Sequence, residues 1–235
     1  DSPSNFGRLG SLPTHPGLLE WLAARLVRGD WSTKAMHRLI VVSSTYQMGS
    51  QFVSESFSVD GGNRLYWRMS PRRLDVESWR DALLHVTGEL SGRIGGSPDE
   101  QVRGSRRRTL YFSVSRHGDR FETDKFLRLF DFPVPRATIA KRAVSVVPQQ
   151  YLFLMNSAFM IDRAKAFAAR LGAASMKNDE RIRHAYRLLY SRLPTDDELQ
   201  IGRTFLAQAQ VQKGLTPWEQ YSQTLLSANE FMYLR

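Results

Sequence analysis

The chain has 235 residues, enough for one large domain or two small ones, and 33 basic against 23 acidic residues give a formal charge of +10. It holds no Cys, which excludes disulfide scaffolds, zinc knuckles, thiolate metal sites and cysteine nucleophiles. At 42% hydrophobic residues it can bury a core, so a disordered basic tail is excluded as well.

The chain opens Asp1-Ser2-Pro3-Ser4, with neither an initiator Met nor a signal segment, and reads as a piece of a longer protein. Its longest apolar runs, Leu39 to Val42 and Tyr151 to Met155, are too short to cross a bilayer. The first helix is expected after Pro13-Thr14-His15-Pro16, where a proline in the first turn loses no hydrogen bond. Leu18, Trp21, Leu22 and Leu26 give it one apolar face, and Gly29-Asp30 stops it. A second helix follows from Ser32 as cap, and the short link predicts an antiparallel pair. Residues 49–64 read as a polar surface loop.

A third helix starts near Asp75, with Val76, Trp79, Leu83, Val86 and Leu90 as a buried stripe. In the middle, Leu110, Phe112 and Val114 alternate with polar residues and predict a strand, which Val144 and Val146 pair with as a second. Between them, residues 116–142 read as irregular, and Pro133 and Pro135 forbid a long helix. From Pro148 the pattern is helical to the end, with segments near 149–155, 157–171, 179–192, 195–211 and 217–233 and a link at 172–178. Thr195-x-x-Glu198 and Thr216-Pro217-x-Glu219 are capping boxes. The expectation is a mainly α, multi-helix domain over 1–235 with a small two-stranded β-element in the middle; any lobes would be 1–147 and 148–235.

Standard catalytic signatures are missing: no phosphate loop, no Gly-x-Ser-x-Gly and no His-Glu-x-x-His. The five histidines lack metal-ligand spacing, so no metal site is assigned. The catalytic candidates are His15, Asp75, Glu77, Asp81 and Asp131. For His15, a helix-start residue bonding the nearby backbone is the preferred reading. Arg73, Glu77 and Asp81 fall four apart, which predicts a self-satisfying ion-pair ladder rather than an acid/base pair. Asp131 reads as a turn cap.

The basic charge is uneven. Residues 101–145 carry eleven Lys or Arg against four acids, and Arg106-Arg107-Arg108 leads into the expected strand. Guanidinium forks suit sulfate, phosphate or carboxylate, so Arg106, Arg107, Arg108, Arg116 and Arg142 are the anion-binding candidates. Nucleic acid is disfavoured, because the second helix of the helix–turn–helix-like stretch 181–211 opens Thr195-Asp196-Asp197-Glu198, where carboxylates would repel phosphate.

Several ordered blocks resemble a known family. Pro13-Thr14-His15-Pro16 with Glu20-Trp21-Leu22-Ala23, Trp31-Ser32-x-Lys34-x-x-His37-Arg38, Asn63-Arg64-Leu65-x-Trp67-Arg68 and Arg73-Leu74-Asp75-x-Glu77 form its first half. Arg107-Arg108-Thr109-Leu110-Tyr111, Phe130-Asp131-x-Pro133, Pro148-Gln149-Gln150 and Asn229-Glu230-Phe231-x-Tyr233 form the second. Together they are similar to the planctomycete-type domain of unknown function, the PSD family. Gly17 and Tyr151 depart from the usual acidic and small residues, and Tyr151 is expected to demand packing space. The resemblance implies a domain of large exported proteins that often carry cytochrome-c-like domains, hence an extracytoplasmic location, and it implies no catalytic residues. No Cys-x-x-Cys-His occurs, so no cofactor is assigned to this chain. The expected partners are neighbouring domains of the parent protein or an anionic polysaccharide. The functional reading is a non-catalytic interaction domain; the alternative is an enzyme domain acting on polyanionic polysaccharide.

Overall fold

Helix caps and apolar stripes set the architecture seen in the computed structural model, which describes residues 4–5, 7–118, 120–173, 176–212 and 214–234. Eleven α-helices and one two-stranded sheet occur among the described residues, a mainly α fold. The chain divides between Arg72 and Arg73 into two units.

The first unit holds α1 (Pro16–Arg28), α2 (Thr33–Val41) and α3 (Ser54–Val59). Pro16 opens α1, and Ser32 caps α2 by accepting the Ala35 N–H at 3.3 Å. The reversal between them is tight: the Trp31 N–H reaches back to the Leu26 carbonyl (3.0 Å), with Asp30 and Trp31 both at positive φ. The polar stretch read as loop contains α3, which the sequence reading missed. None of the described residues of this unit is buried; Leu18, Leu19 and Trp21 are all about half exposed or more.

The second unit begins beside β1 (Arg72–Arg73), which pairs with β2 (Tyr233–Leu234). The Leu74 N–H donates to the Met232 carbonyl at 2.8 Å beside this pairing. In α4 (Val76–Val86), Asp75 caps the helix by accepting the Ser78 N–H (2.8 Å). Its stripe of Val76, Trp79, Leu83 and Val86 is buried as the spacing requires. Trp79 lies 4.7 Å from the Phe130 ring, and Phe126 meets Phe153 and Phe159 at 5.5 and 6.0 Å, forming an aromatic centre. Phe126 and Phe130 come from α5 (Glu122–Leu129) and its end, inside a segment expected to be irregular. Eight residues fit before Pro133, so the prolines limit this helix without preventing it.

Neither expected strand forms. Thr109–Tyr111 is a 3₁₀ turn and Phe112 makes only an isolated bridge to Asp99, while 144–146 has no regular structure. The alternation has no common face: Phe112 is buried while Leu110 and Val114 are exposed, with Thr109 and Ser113 buried instead, and the sheet forms elsewhere.

The rest is α6 (Pro148–Asn156), α7 (Ala158–Gly172), α8 (Asn178–Tyr190), α9 (Asp196–Gln208), α10 (Pro217–Leu226) and α11 (Asn229–Met232). Helix α7 is central, with Met160, Ala164, Phe167 and Leu171 fully buried, and α10 packs along it. Both capping boxes are present at Thr195 and Thr216. The expected helix 217–233 breaks at Ser227–Ala228, which separates Leu226 from α11. Residues 174–175 of the expected link lie outside the described residues. Tyr151 is nearly half exposed and needs no packing space.

Candidate anion-binding site

Of the candidate carboxylates, only Asp75 and Glu77 approach a common partner, Arg142 Nη1, at 4.0 and 2.7 Å. Asp75 also caps α4. Glu77 takes a two-pronged bond from Arg142, Nη1 to Oε2 at 2.7 Å and Nη2 to Oε1 at 2.8 Å. Asp81 accepts the Thr109 N–H and hydroxyl, both at 2.7 Å, and pairs with Arg108 Nε at 3.2 Å. The ladder expected from Arg73, Glu77 and Asp81 is therefore absent. Arg73 precedes the helix, in β1, and each of the three takes a partner from a distant segment.

Asp131 sits at φ +64 just after α5, where its backbone reverses the chain. Its carboxylate accepts the Ser145 N–H (2.9 Å) and hydroxyl (2.6 Å) and pairs with Arg73. Burial works to raise its pKa, but the bonds from Ser145 and Arg73 hold it below the ordinary carboxylate value. Arg73 also donates to Gln150 Oε1 (3.2 Å), and Gln150 donates to the Leu129 carbonyl (2.9 Å). Asp131 thus caps a turn and also closes a network among three segments.

His15 lies in the first unit. Its Nδ1 is 3.0 Å from the Thr14 hydroxyl and its ring stacks on Tyr66 at 5.0 Å. The expected side-chain bond to backbone is replaced by these two contacts. Among the described residues no group of three or more His, Cys, Asp or Glu is placed to hold a metal ion.

The arginine triplet splits three ways. Arg107 is nearly buried, donates to the Ser97 and Gly95 carbonyls (both 2.6 Å) and lies over the Tyr111 ring at 4.2 Å. Arg106 and Arg108 keep 61% and 62% of their side-chain surface exposed while pairing with Glu89 and Asp81. Arg116 is exposed, and Arg142 is tied to Glu77.

Sequence reading missed two buried arginines. Arg80 is fully buried, donating to the Ser105 and Arg107 carbonyls (2.7 and 3.0 Å) and the Thr109 hydroxyl (3.2 Å). Burial lowers its pKa to about 10. Arg163 on α7 is 3% exposed and pairs with Glu89, Nε to Oε2 at 2.8 Å. The signal lay in periodicity: Arg80 is four residues after Val76, and Arg163 is midway between Phe159 and Phe167, so both sit on apolar stripes.

Arg163 lines a surface cavity of about 490 Å³ together with Glu89, Arg103, Arg106, Asp162 and Lys165. Arg103 engages Asp162 through Nε (2.6 Å) and Nη2 (3.1 Å), and Glu89 is shared by Arg163 and Arg106. Four cations face two carboxylates.

The matching family model decides the family: PSD1, a protein of unknown function (DUF1553), matches residues 1–206. The chain belongs to this family. No curated protein and no solved structure matches it. The family match takes in α1–α8, most of α9 and the cavity, whereas α10, α11 and the Asn229-Glu230-Phe231-x-Tyr233 block lie beyond it. No helix among the described residues is long and apolar enough to cross a membrane.

Proposed function

We propose that this DUF1553 chain is a non-catalytic structural and interaction domain of a larger exported protein, with an arginine-rich face for an acidic neighbouring domain or an anionic glycan. The export setting rests on the family resemblance. The observation that carries the reading is a contrast between the two charge types. Asp75, Glu77, Asp81 and Asp131 are each engaged by a helix cap, a loop N–H or an arginine, and Asp75 and Glu77 flank the same Arg142 guanidinium. Arg103, Arg106 and Arg108 each already engage an acid, yet keep 60%, 61% and 62% of their side chains exposed.

An acid/base enzyme needs convergent titratable groups beside its substrate, and the favoured reading needs only accessible guanidinium edges. The segments that carry the family resemblance support it further. Arg73, Asp131 and Gln150 come from three of them and meet in one hydrogen-bonded network. Their shared work is to hold loops in place.

The test is retention on a sulfated and on a carboxylated glycan matrix at low salt, comparing the chain with an Arg103/Arg106/Arg108/Arg116→Ala variant. Retention that falls in the variant and falls with added salt is expected. Equal elution of both proteins at low salt would overturn the reading.

A further inference from the structure

We propose that the cavity walled by Glu89, Arg103, Arg106, Asp162, Arg163 and Lys165 binds the oxyanion group of a small ligand, a sulfated or carboxylated sugar. This names the ligand class of the basic face and rests on the reading above.

Three observations converge on it. The first is charge. Glu89 is divided between two guanidinium groups and Asp162 is taken by Arg103, so the wall keeps two positive charges beyond its own carboxylates. Lys165 has no ion-pair partner within hydrogen-bonding range among the described residues; its charge acts on Asp162 through space.

The second is an unmet donor. Arg163 is 3% exposed, and its Nη1 is buried with no hydrogen-bond partner. Its Nε is close to Glu89 as a charge but is not aligned as a donor. A buried guanidinium N–H without an acceptor is costly, and the Arg163 charge, tied to Glu89 through Nη2 at 3.2 Å, adds to the positive field at the recess wall. Burial also lowers the pKa of Arg163, a penalty that an added negative charge relieves.

The third is shape. The recess of about 490 Å³ is shallow and open to solvent, which suits an oxyanion group docked on its wall rather than a fully enclosed ligand. Arg163 and Lys165 are carried by α7, whose Met160, Ala164 and Phe167 are fully buried. Its rim, Arg103 and Arg106, comes from the loop that Arg80 anchors through the Ser105 carbonyl. Arg103 and Arg163 are therefore held by Asp162 and Glu89 before any ligand arrives.

The experiment is calorimetric titration of the chain with inorganic sulfate, then with a sulfated and a uronate disaccharide, at low ionic strength. Arg106→Ala/Lys165→Ala is the test variant, chosen because both side chains are exposed and carry no core packing. Arg203→Ala, an exposed arginine paired with Asp179 on another face, is the control. The expected result is saturable binding of sulfate by the chain, weakened at least tenfold in the double variant and unchanged in the control. The two disaccharides separate sulfate from carboxylate as the preferred group.

No binding of any probe, or equal binding by the double variant, would overturn this site. If glycan retention nevertheless persists and depends on Arg108 and Arg116, the broader reading stands without the cavity. If retention is lost as well, both fail.

Discussion

The Arg80 guanidinium lies 4.3 Å from the centroid of the Phe112 ring, while its N–H groups converge on carbonyl and hydroxyl oxygens rather than a carboxylate. A buried cation is thus held by loop backbone, and the loop is held by the cation. Arg80→Met is expected to leave at least two loop carbonyls without donors, at about 1–3 kcal/mol each. Removing the buried charge returns part of that, but the orphaned carbonyls dominate. A net loss of roughly 2–4 kcal/mol in urea unfolding follows. An Arg80→Met variant as stable as the parent would show that water replaces the guanidinium at no cost.

Acid should loosen the second unit in a defined window. The Arg192 guanidinium holds Glu198 at a pKa of about 2, against its ordinary 4.5, and the Thr195 N–H contributes. Asp131 and Asp124 are also lowered: burial opposes this, and hydrogen bonds from Ser145, and from Ser115 and Phe121, outweigh it. Depressed carboxylates bind fewer protons folded than unfolded, so their contribution is complete above about pH 4.5 and is lost as pH falls towards 2. Melting temperatures across that range should fall, and Glu198→Gln should flatten part of the slope. A parallel curve for the variant would remove Glu198 from the account.

Two surface arginines should behave differently. Arg192 reaches Glu198 and Glu230 with four bonds of 2.6–2.7 Å and joins α9 to α11. Arg203 pairs only with Asp179 as an acid, with Nε to Oδ1 at 2.8 Å. Isolated exposed pairs contribute about 0.2–1 kcal/mol, and fixed networks more. Arg192→Ala should therefore cost roughly 1–3 kcal/mol and Arg203→Ala under about 1 kcal/mol. Equal losses would mean the network adds nothing beyond its pairs.

Gly202→Ala sets two effects against each other. Alanine improves helix propensity by about 1 kcal/mol. Yet a Cβ at this position of α9 would lie 2.7 Å from the Tyr221 hydroxyl oxygen and 3.1 Å from Ile182 Cδ1. Both neighbours are buried and the tyrosine ring is rigid, so overpacking costs about 1–3 kcal/mol and wins. A lower denaturation midpoint is expected; a higher one would show that Tyr221 moves aside freely.

What the sequence made legible was whatever repeats along a helix or caps one. The Val76–Val86 stripe, Ser32, Asp75 and the two threonine boxes stand where local physics puts them. The short α3 and α5 escaped because a helix of six or eight residues offers barely two turns of pattern. The strand expected at 109–115 failed because Thr109 is anchored to Asp81 and Arg80 in a 3₁₀ turn, so that of the alternating apolar residues only Phe112 is buried. The site was the least legible part. Composition pointed to Arg106-Arg107-Arg108 as one unit, but neighbouring residues in a loop face different ways, and Arg107 turned inward. The cavity draws its charges from residues 89, 103, 106 and 162–165, a grouping that only the tertiary fold creates.

The pairing of Arg72–Arg73 with Tyr233–Leu234 makes the second unit a closed loop of chain, entered and left at one place. Such a module suits insertion into, or grafting onto, another polypeptide, because its host need not separate the two attachment points. It also sets how the unit meets mechanical load. Force drawn through residues 73 and 234 acts first on this short ladder and on the Leu74–Met232 bond beside it, before it reaches the aromatic centre.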